Sequence, residues 1–178
     1  MIAGVDEVGR GCLAGPVIAA SVILKRPIKG LMDSKKLSLK KREHLSQVII
    51  ENSIFAIGAA DNKEIDQINI LQASLLAMQR SLEKLDVKPK KVLVDGDHIF
   101  KTPIEIESIV GGDNLIPSIS AASIVAKVYR DRWMMTYSRE FPNYGFDKHK
   151  GYPTKLHKEM LKRYGLTRIH RRTFKGVN

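Results

Sequence analysis

Residues 1–24, MIAGVDEVGRGCLAGPVIAASVIL, carry a short apolar segment, an acidic pair, a glycine-rich turn and an eight-residue apolar run. The run at 17–24, VIAASVIL, is near-continuously apolar, the pattern of a strand covered on both faces. Residues 1–5 read as a shorter strand before it, with Gly9, Gly11, Gly15 and Pro16 making the connection. Asp6 and Glu7 then fall at a strand end. Consecutive side chains of a regular strand face opposite ways. Both acids therefore reach one place only if the strand ends or distorts there, which the following glycines permit.

Working outward, Ser38 is placed to cap a helix to about Glu51, with Leu45, Val48 and Ile49 at helical spacing. Residues 54–60 read as a third strand. Asn69 is a candidate cap for a helix to about Leu85, whose Ile70, Leu71, Ser74, Leu75, Met78 and Leu82 form one stripe, and Lys88-Pro89 stops it. Residues 92–94 form a β-branched strand running into Asp95-Gly96, and 104–109 alternate as an edge strand would. A third helix is expected over about 120–137, then a loop rich in Gly, Pro and aromatics over 141–153. Thr154 caps a last helix that Gly165 ends. Strands alternating with helices predict an α/β layered fold. One domain is expected over 1–178, with a core over about 1–138 and a basic helical extension over about 139–178.

Apolar residues make up 43% of the 178 and charged ones 28%, an ordinary balance for a globular protein. No stretch is uniformly apolar for the roughly 18 residues a membrane helix needs. The opening residues lack a basic segment followed by an apolar one, so no leader and a cytoplasmic location are expected. Cys12 is the only cysteine, which excludes an internal disulfide and a multi-thiolate zinc site; it is expected to be a small apolar residue in a tight turn. The formal charge is +11, and from Gly145 onward ten Lys and Arg face two acids. That excess marks a surface for a polyanion.

Asp6-Glu7 and Asp95 both follow apolar strands, and strand ends are where α/β sheets place their sites. With Asp113, after Gly111-Gly112, four carboxylates would meet, and their repulsion calls for cations between them. All-oxygen ligands suit Mg²⁺ or Mn²⁺ rather than zinc. Carboxylates of this kind in a strongly basic protein point to a nuclease.

Several stretches together resemble bacterial-type ribonuclease HII: Asp6-Glu7-Val8-Gly9-Arg10-Gly11, Leu13-Ala14-Gly15-Pro16-Val17, Asp33-Ser34-Lys35-Lys36-Leu37-Ser38, Val94-Asp95-Gly96, Ser120-Ala121-Ala122-Ser123-Ile124-Val125-Ala126-Lys127 and His149-Lys150-Gly151-Tyr152. They occur in family order, continuing to Ile169-His170-Arg171-Arg172. The resemblance implies a ribonuclease H-like fold, a mixed five-stranded sheet flanked by helices with a helical C-terminal portion. It implies an endoribonuclease that cleaves the RNA strand of RNA/DNA hybrids and 5′ of ribonucleotides in duplex DNA, using two divalent ions, Mg²⁺ or Mn²⁺. The catalytic and metal-binding set carries over to Asp6, Glu7, Asp95 and Asp113, with Asp97 and Asp131 open as rivals to Asp113. Gly9, Arg10 and Gly11 correspond to the reader of the ribose 2′-hydroxyl and Tyr152 to the aromatic that stacks on a sugar. Ser34, Lys35 and Lys36 resemble phosphate contacts, with Lys127 and Arg130 weaker candidates. His98 and His149 are expected to be exposed polar residues. A monomer with no membrane partner is expected. Cys12 stands where many members have proline, and the chain ends soon after Phe174, without the longer tail of some members.

Overall fold

Val17–Leu24 forms β2, and seven of its eight residues are buried because helices cover both of its faces. It pairs antiparallel with β1 (Ile2–Val8) on one side and β3 (Ser53–Ala60) on the other. Strand β4 (Lys91–Asp95) pairs parallel with β1, and β5 (Glu105–Ile109) parallel with β4. The result is a mixed five-stranded sheet of order β3-β2-β1-β4-β5. The structure is a computed structural model that describes residues 1–31 and 37–177. Ser34, Lys35 and Lys36 lie outside the described residues.

Period-two alternation in β2 decides the two cores. Val17, Ala19 and Ile23 face α2 (Asn62–Glu83), meeting Ala73, Ala77, Met78 and Leu82. Ile18, Ala20 and Val22 face the other way, toward Ile49 of α1 (Leu39–Glu51) and Ala121, Ala122 and Val125 of α3 (Pro117–Glu140). Each fully buried side chain such as Ile18 contributes about 1.5–3 kcal/mol. The small residues opening α3 let it press onto β1: a Cβ on Gly4 would sit 2.1 Å from the carbonyl carbon of Ser118.

The capping signals work as expected at Ser38, whose hydroxyl accepts from the Lys41 amide, and at Thr154, which accepts from His157 to open α5 (Lys155–Tyr164). Helix α2 starts seven residues before Asn69. Asp61 and Glu64 make a reciprocal capping box there. Asn69 has φ 67°, which breaks the helix, and its side chain accepts from the Gln72 amide and starts it again. Helix α3 extends beyond 120–137 at both ends, with Pro117 in its first turn. The expected loop over 141–153 contains a short helix, α4 (Phe146–His149).

The C-terminal segment folds back onto the glycine-rich turn. Leu13 donates to Gly151 O, Gly15 to Ile169 O, and Arg171 to Leu13 O, at 2.8, 2.9 and 2.9 Å. Ala14, Met134, Tyr144, Phe146 and Ile169 form a separate apolar cluster beneath these bonds.

Gly4→Ala pushes α3 off the sheet and should cost at least about 3 kcal/mol by overpacking against backbone. In a protein of this size that lowers Tm by roughly 6–12 °C, checked by thermal unfolding.

Candidate active site

Strand β1 is longer than its parallel neighbour. Its pairing with β4 stops at Val5↔Val94, whereas pairing with β2 continues through Asp6↔Ala20, Glu7↔Ala19 and Val8↔Ile18. This differs from the expected strand end at Val5, since β2 holds three further residues in register. Asp6 and Glu7 therefore point to opposite faces. Asp6 lies on the α3 side with a bond from Ser123, and Glu7 on the α2 side, in a groove lined by Leu71, Leu75 and Met78. Both still come within electrostatic range of Asp95, because β4 ends beside them and leaves a notch. Asp95 acts electrostatically on Asp6 and on Glu7, and its side chain shares the groove with Glu7.

Burial first, and then the charges of Glu7 and Asp95, push Asp6 well above the usual carboxylate range. Burial also raises Glu7, with Arg10 opposing. Each acid has a local partner. Asp6 Oδ1 accepts from the Glu7 amide at 2.7 Å, Glu7 pairs with Arg10 at 3.2 Å, and Asp95 Oδ1 accepts from the Asp113 amide at 3.2 Å. Among the described residues no three acidic, histidine or cysteine side chains converge closely enough to hold a metal. The donor set nevertheless suits a hard divalent cation: oxygen ligands only, mutually repelling, at the end of a sheet.

Of the three candidates for the fourth acid, Asp113 is buried in a turn over Gly112–Asn114 and hydrogen-bonded to Asp95. Asp97 is exposed and pairs with His98, and Asp131 pairs with Lys127 at 2.8 Å. Gly9 has φ 94°, while Arg10 and Gly11 are exposed beside the notch. Tyr152 is half-buried, with the Lys127 ammonium 5.5 Å from its ring centre. Cys12 is buried, its thiol pushed up by that burial, as befits a small residue in a turn. Eight of the ten basic residues after Gly145 are exposed; Lys150 is half-buried and Arg171 buried.

Two expectations are corrected. Arg130 is fully buried and bonded to three backbone carbonyls, so no surface remains to meet a phosphate. His149 is also buried, because the aromatic cluster around Phe146 encloses it. It belongs to a trio with His157 and His170, for which the spacing of His157 and Leu161 on the buried side of α5 is the available sequence signal.

The hydrogen bonds assign the protons of the trio. His157 Nδ1 faces Tyr152 O at 2.9 Å and must donate, so its Nε2 accepts from His170 Nε2 at 3.0 Å. His170 Nδ1 then accepts from the Thr167 amide. His149 donates through Nε2 to Tyr144 O and accepts at Nδ1 from Gly151. All three rings are neutral, and they tie down the loop that carries Tyr152.

A mixed sheet in this order with helices on both faces is the ribonuclease H-like fold, a nuclease architecture. A family model for Ribonuclease HII matches residues 3–177, and the chain belongs to the ribonuclease HII family. It is 56% identical over 180 residues to ribonuclease HII of Coxiella burnetii, covering 99% of this chain and 89% of that protein. With ribonuclease HII of Pelagibacter ubique the identity is 52%, over 100% of this chain and 97% of the other. The crystal structure of ribonuclease H2 from Pyrococcus horikoshii superposes with a TM-score of 0.82 at 29% identity, covering 99% of this chain and 94% of that one. The protein is accordingly a hydrolase, an endoribonuclease of a family that acts on RNA/DNA hybrids and uses divalent metal ions. Among the described residues no helix is long and apolar enough to cross a membrane.

Burial holds His157 and His170 down to about 4. In the unfolded chain such rings take up protons near pH 6.5. The unfolded state thus binds more protons between those values, and stability conferred by the neutral trio is lost as pH falls from about 6.5 to about 4. His170→Asn should be less stable than the parent at pH 7 yet lose less further stability between pH 7 and pH 4.5, measured by urea unfolding.

Proposed function

We propose that the protein hydrolyses the phosphodiester on the 5′ side of a ribonucleotide, in RNA/DNA hybrids and in duplex DNA with embedded ribonucleotides, leaving 3′-hydroxyl and 5′-phosphate ends. The observation that carries this reading is the notch where β4 stops short of β1, with Asp6, Glu7 and Asp95 repelling one another there inside a protein of charge +11. Asp6, Glu7, Asp95 and Asp113 would hold two divalent cations, Mg²⁺ or Mn²⁺. Bound there, such ions supply a water of lowered pKa and neutralise charge on the leaving oxygen.

The remaining work falls to the chain itself. The backbone of Gly9, Arg10 and Gly11 reads the 2′-hydroxyl, the group that separates RNA from DNA at one residue. Tyr152 stacks on the adjoining sugar, and Lys127 sits beside it to meet a phosphate. Ser34, Lys35 and Lys36 join as phosphate contacts on the strength of the resemblance. The exposed C-terminal lysines and arginines hold the duplex by charge, so affinity falls with salt. The protein works as a cytoplasmic monomer.

A duplex with one embedded ribonucleotide, incubated with Mg²⁺ or Mn²⁺, should be nicked on that residue's 5′ side, and its all-DNA counterpart left intact. Asp6→Asn and Asp95→Asn should each lower the rate by about 10³-fold or more while duplex affinity changes little. Cleavage in excess chelator, or surviving both substitutions, refutes the assignment. Binding without cleavage, indifferent to divalent ions, would favour a non-catalytic nucleic-acid-binding protein. Without metal, Asp6→Asn relieves repulsion and should unfold at the same temperature as the parent or higher. Mg²⁺ should raise the parent's Tm and leave that of Asp95→Asn nearly unchanged.

A further inference from the structure

Arg130, on α3, and Arg171, near the C-terminus, are both 0% exposed. Neither forms an ion pair with a described carboxylate; Asp66 acts on Arg171 from a distance. Their guanidinium donors go to backbone carbonyls. Arg171 donates from Nε to Gly15 O at 3.0 Å, from Nη1 to Arg10 O at 2.8 Å and from Nη2 to Gly9 O at 2.7 Å. Arg130 donates to Pro16 O, Lys150 O and Ala14 O at 2.9, 2.8 and 3.1 Å, and its guanidinium lies 5.9 Å from the Tyr152 ring centre. A Cβ on Gly9 would meet Arg130 Nε at 2.2 Å. The two side chains thus form one frame under the glycine-rich turn, and Arg130 extends it to the Tyr152 loop.

Peptide planarity gives this frame a direction. In a trans peptide the C=O and the following N–H point opposite ways, and the described chain has no cis bond. Drawing the carbonyls of Gly9 and Arg10 inward turns the amides of Arg10 and Gly11 outward, at the two exposed positions of the turn. Two adjacent outward amides make a donor pair for one sugar or phosphate oxygen.

We propose that Arg171 is a positioning residue for ribose recognition: its fork orients the Arg10 and Gly11 amides toward the substrate, while Arg130 sets the distance from that turn to Tyr152. This rests on the reading of Gly9, Arg10 and Gly11 as the 2′-hydroxyl reader. A fixed planar fork is needed, because three carbonyls in different directions exceed what one ammonium can span.

The test is steady-state kinetics on a duplex with one ribonucleotide, with the all-DNA duplex of the same sequence as competitor. Arg171→Gln should lower kcat by about 10–100-fold, the scale of a 1 Å misplacement, with KM and the competitor's inhibition constant within about threefold of the parent. Arg171→Lys should restore the parent's circular dichroism spectrum but recover less than a tenth of the lost rate. A folded Arg171→Gln with parental kcat overturns the proposal, as does full rescue by lysine or an equal loss of affinity for the all-DNA duplex. Should neither variant fold, amide exchange in the parent decides. The Arg10 and Gly11 amides must exchange freely without substrate and slow when the ribonucleotide duplex binds; strong protection in the free protein overturns the proposal. If the parent cleaves the all-DNA duplex as fast as the ribonucleotide duplex, it is the reader assignment that has failed, and the role of Arg171 with it.

Discussion

Strand β1 has neighbours of unequal reach, and the candidate site depends on that difference. On one side β2 holds it in register as far as Val8; on the other β4 lets go after Val5. A strand held on one edge only keeps its regular alternation, so Asp6 and Glu7 stay on opposite faces. Because the other edge is open, both still come within electrostatic range of Asp95. Had β4 run two residues further, Asp6 would be walled off from Glu7 by a paired strand. Had β2 begun only at Ser21, the acidic pair would hang on a loop. The glycine at position 4 contributes as well, since α3 can approach β1 closely enough to bury Asp6 only where no side chain intervenes.

Charge is handled in two contrasting ways inside this molecule. Asp6 is buried beside the like charges of Glu7 and Asp95, and of these three Glu7 has the ion pair, with Arg10. The buried arginines are provided for without ion pairs, by carbonyl oxygens of the turn they support. A buried charge left without hydrogen bonds would be prohibitively expensive, whereas three carbonyls per guanidinium restore most of what water supplied. The histidine trio takes a third course. Its rings shed their charge altogether, and each nitrogen then has one permitted role, His157 and His170 in one chain from Tyr152 O to the Thr167 amide and His149 between Tyr144 O and the Gly151 amide.

The parts of this architecture legible in the sequence are those set by short-range patterns. VIAASVIL declares itself as a doubly covered strand, Ser38 and Thr154 as caps, and 104–109 as an edge strand. Asn69 does cap a helical segment, but Asp61-Asn62-Lys63-Glu64 is an equally local signal that starts the helix earlier. Asp6 and Asp95 stand out as acids following apolar runs, although β1 continues past Asp6 to Val8; the assignment of Asp113 and Tyr152 rests on resemblance. The reach of β1 to Val8 is not a local property, because β2 determines it through pairing. Nor is the burial of Arg130 or His149. A charged residue in a helix reads as a surface residue, and what encloses these two is, for Arg130, the carbonyl of Lys150 with those of Ala14 and Pro16 more than a hundred residues away, and for His149 an aromatic cluster.

The bond between Arg171 and the carbonyl of Arg10 spans 161 residues. Closing so long a loop is slow compared with local helix formation. During synthesis, which proceeds from the N-terminus at about 5–20 residues per second, the glycine-rich turn is made 161 residues ahead of the arginine that braces it. The nascent chain can assemble its sheet well before this brace exists. A fully shaped turn therefore forms only after Arg171 has been made and has folded back onto the carbonyls of Gly9 and Arg10.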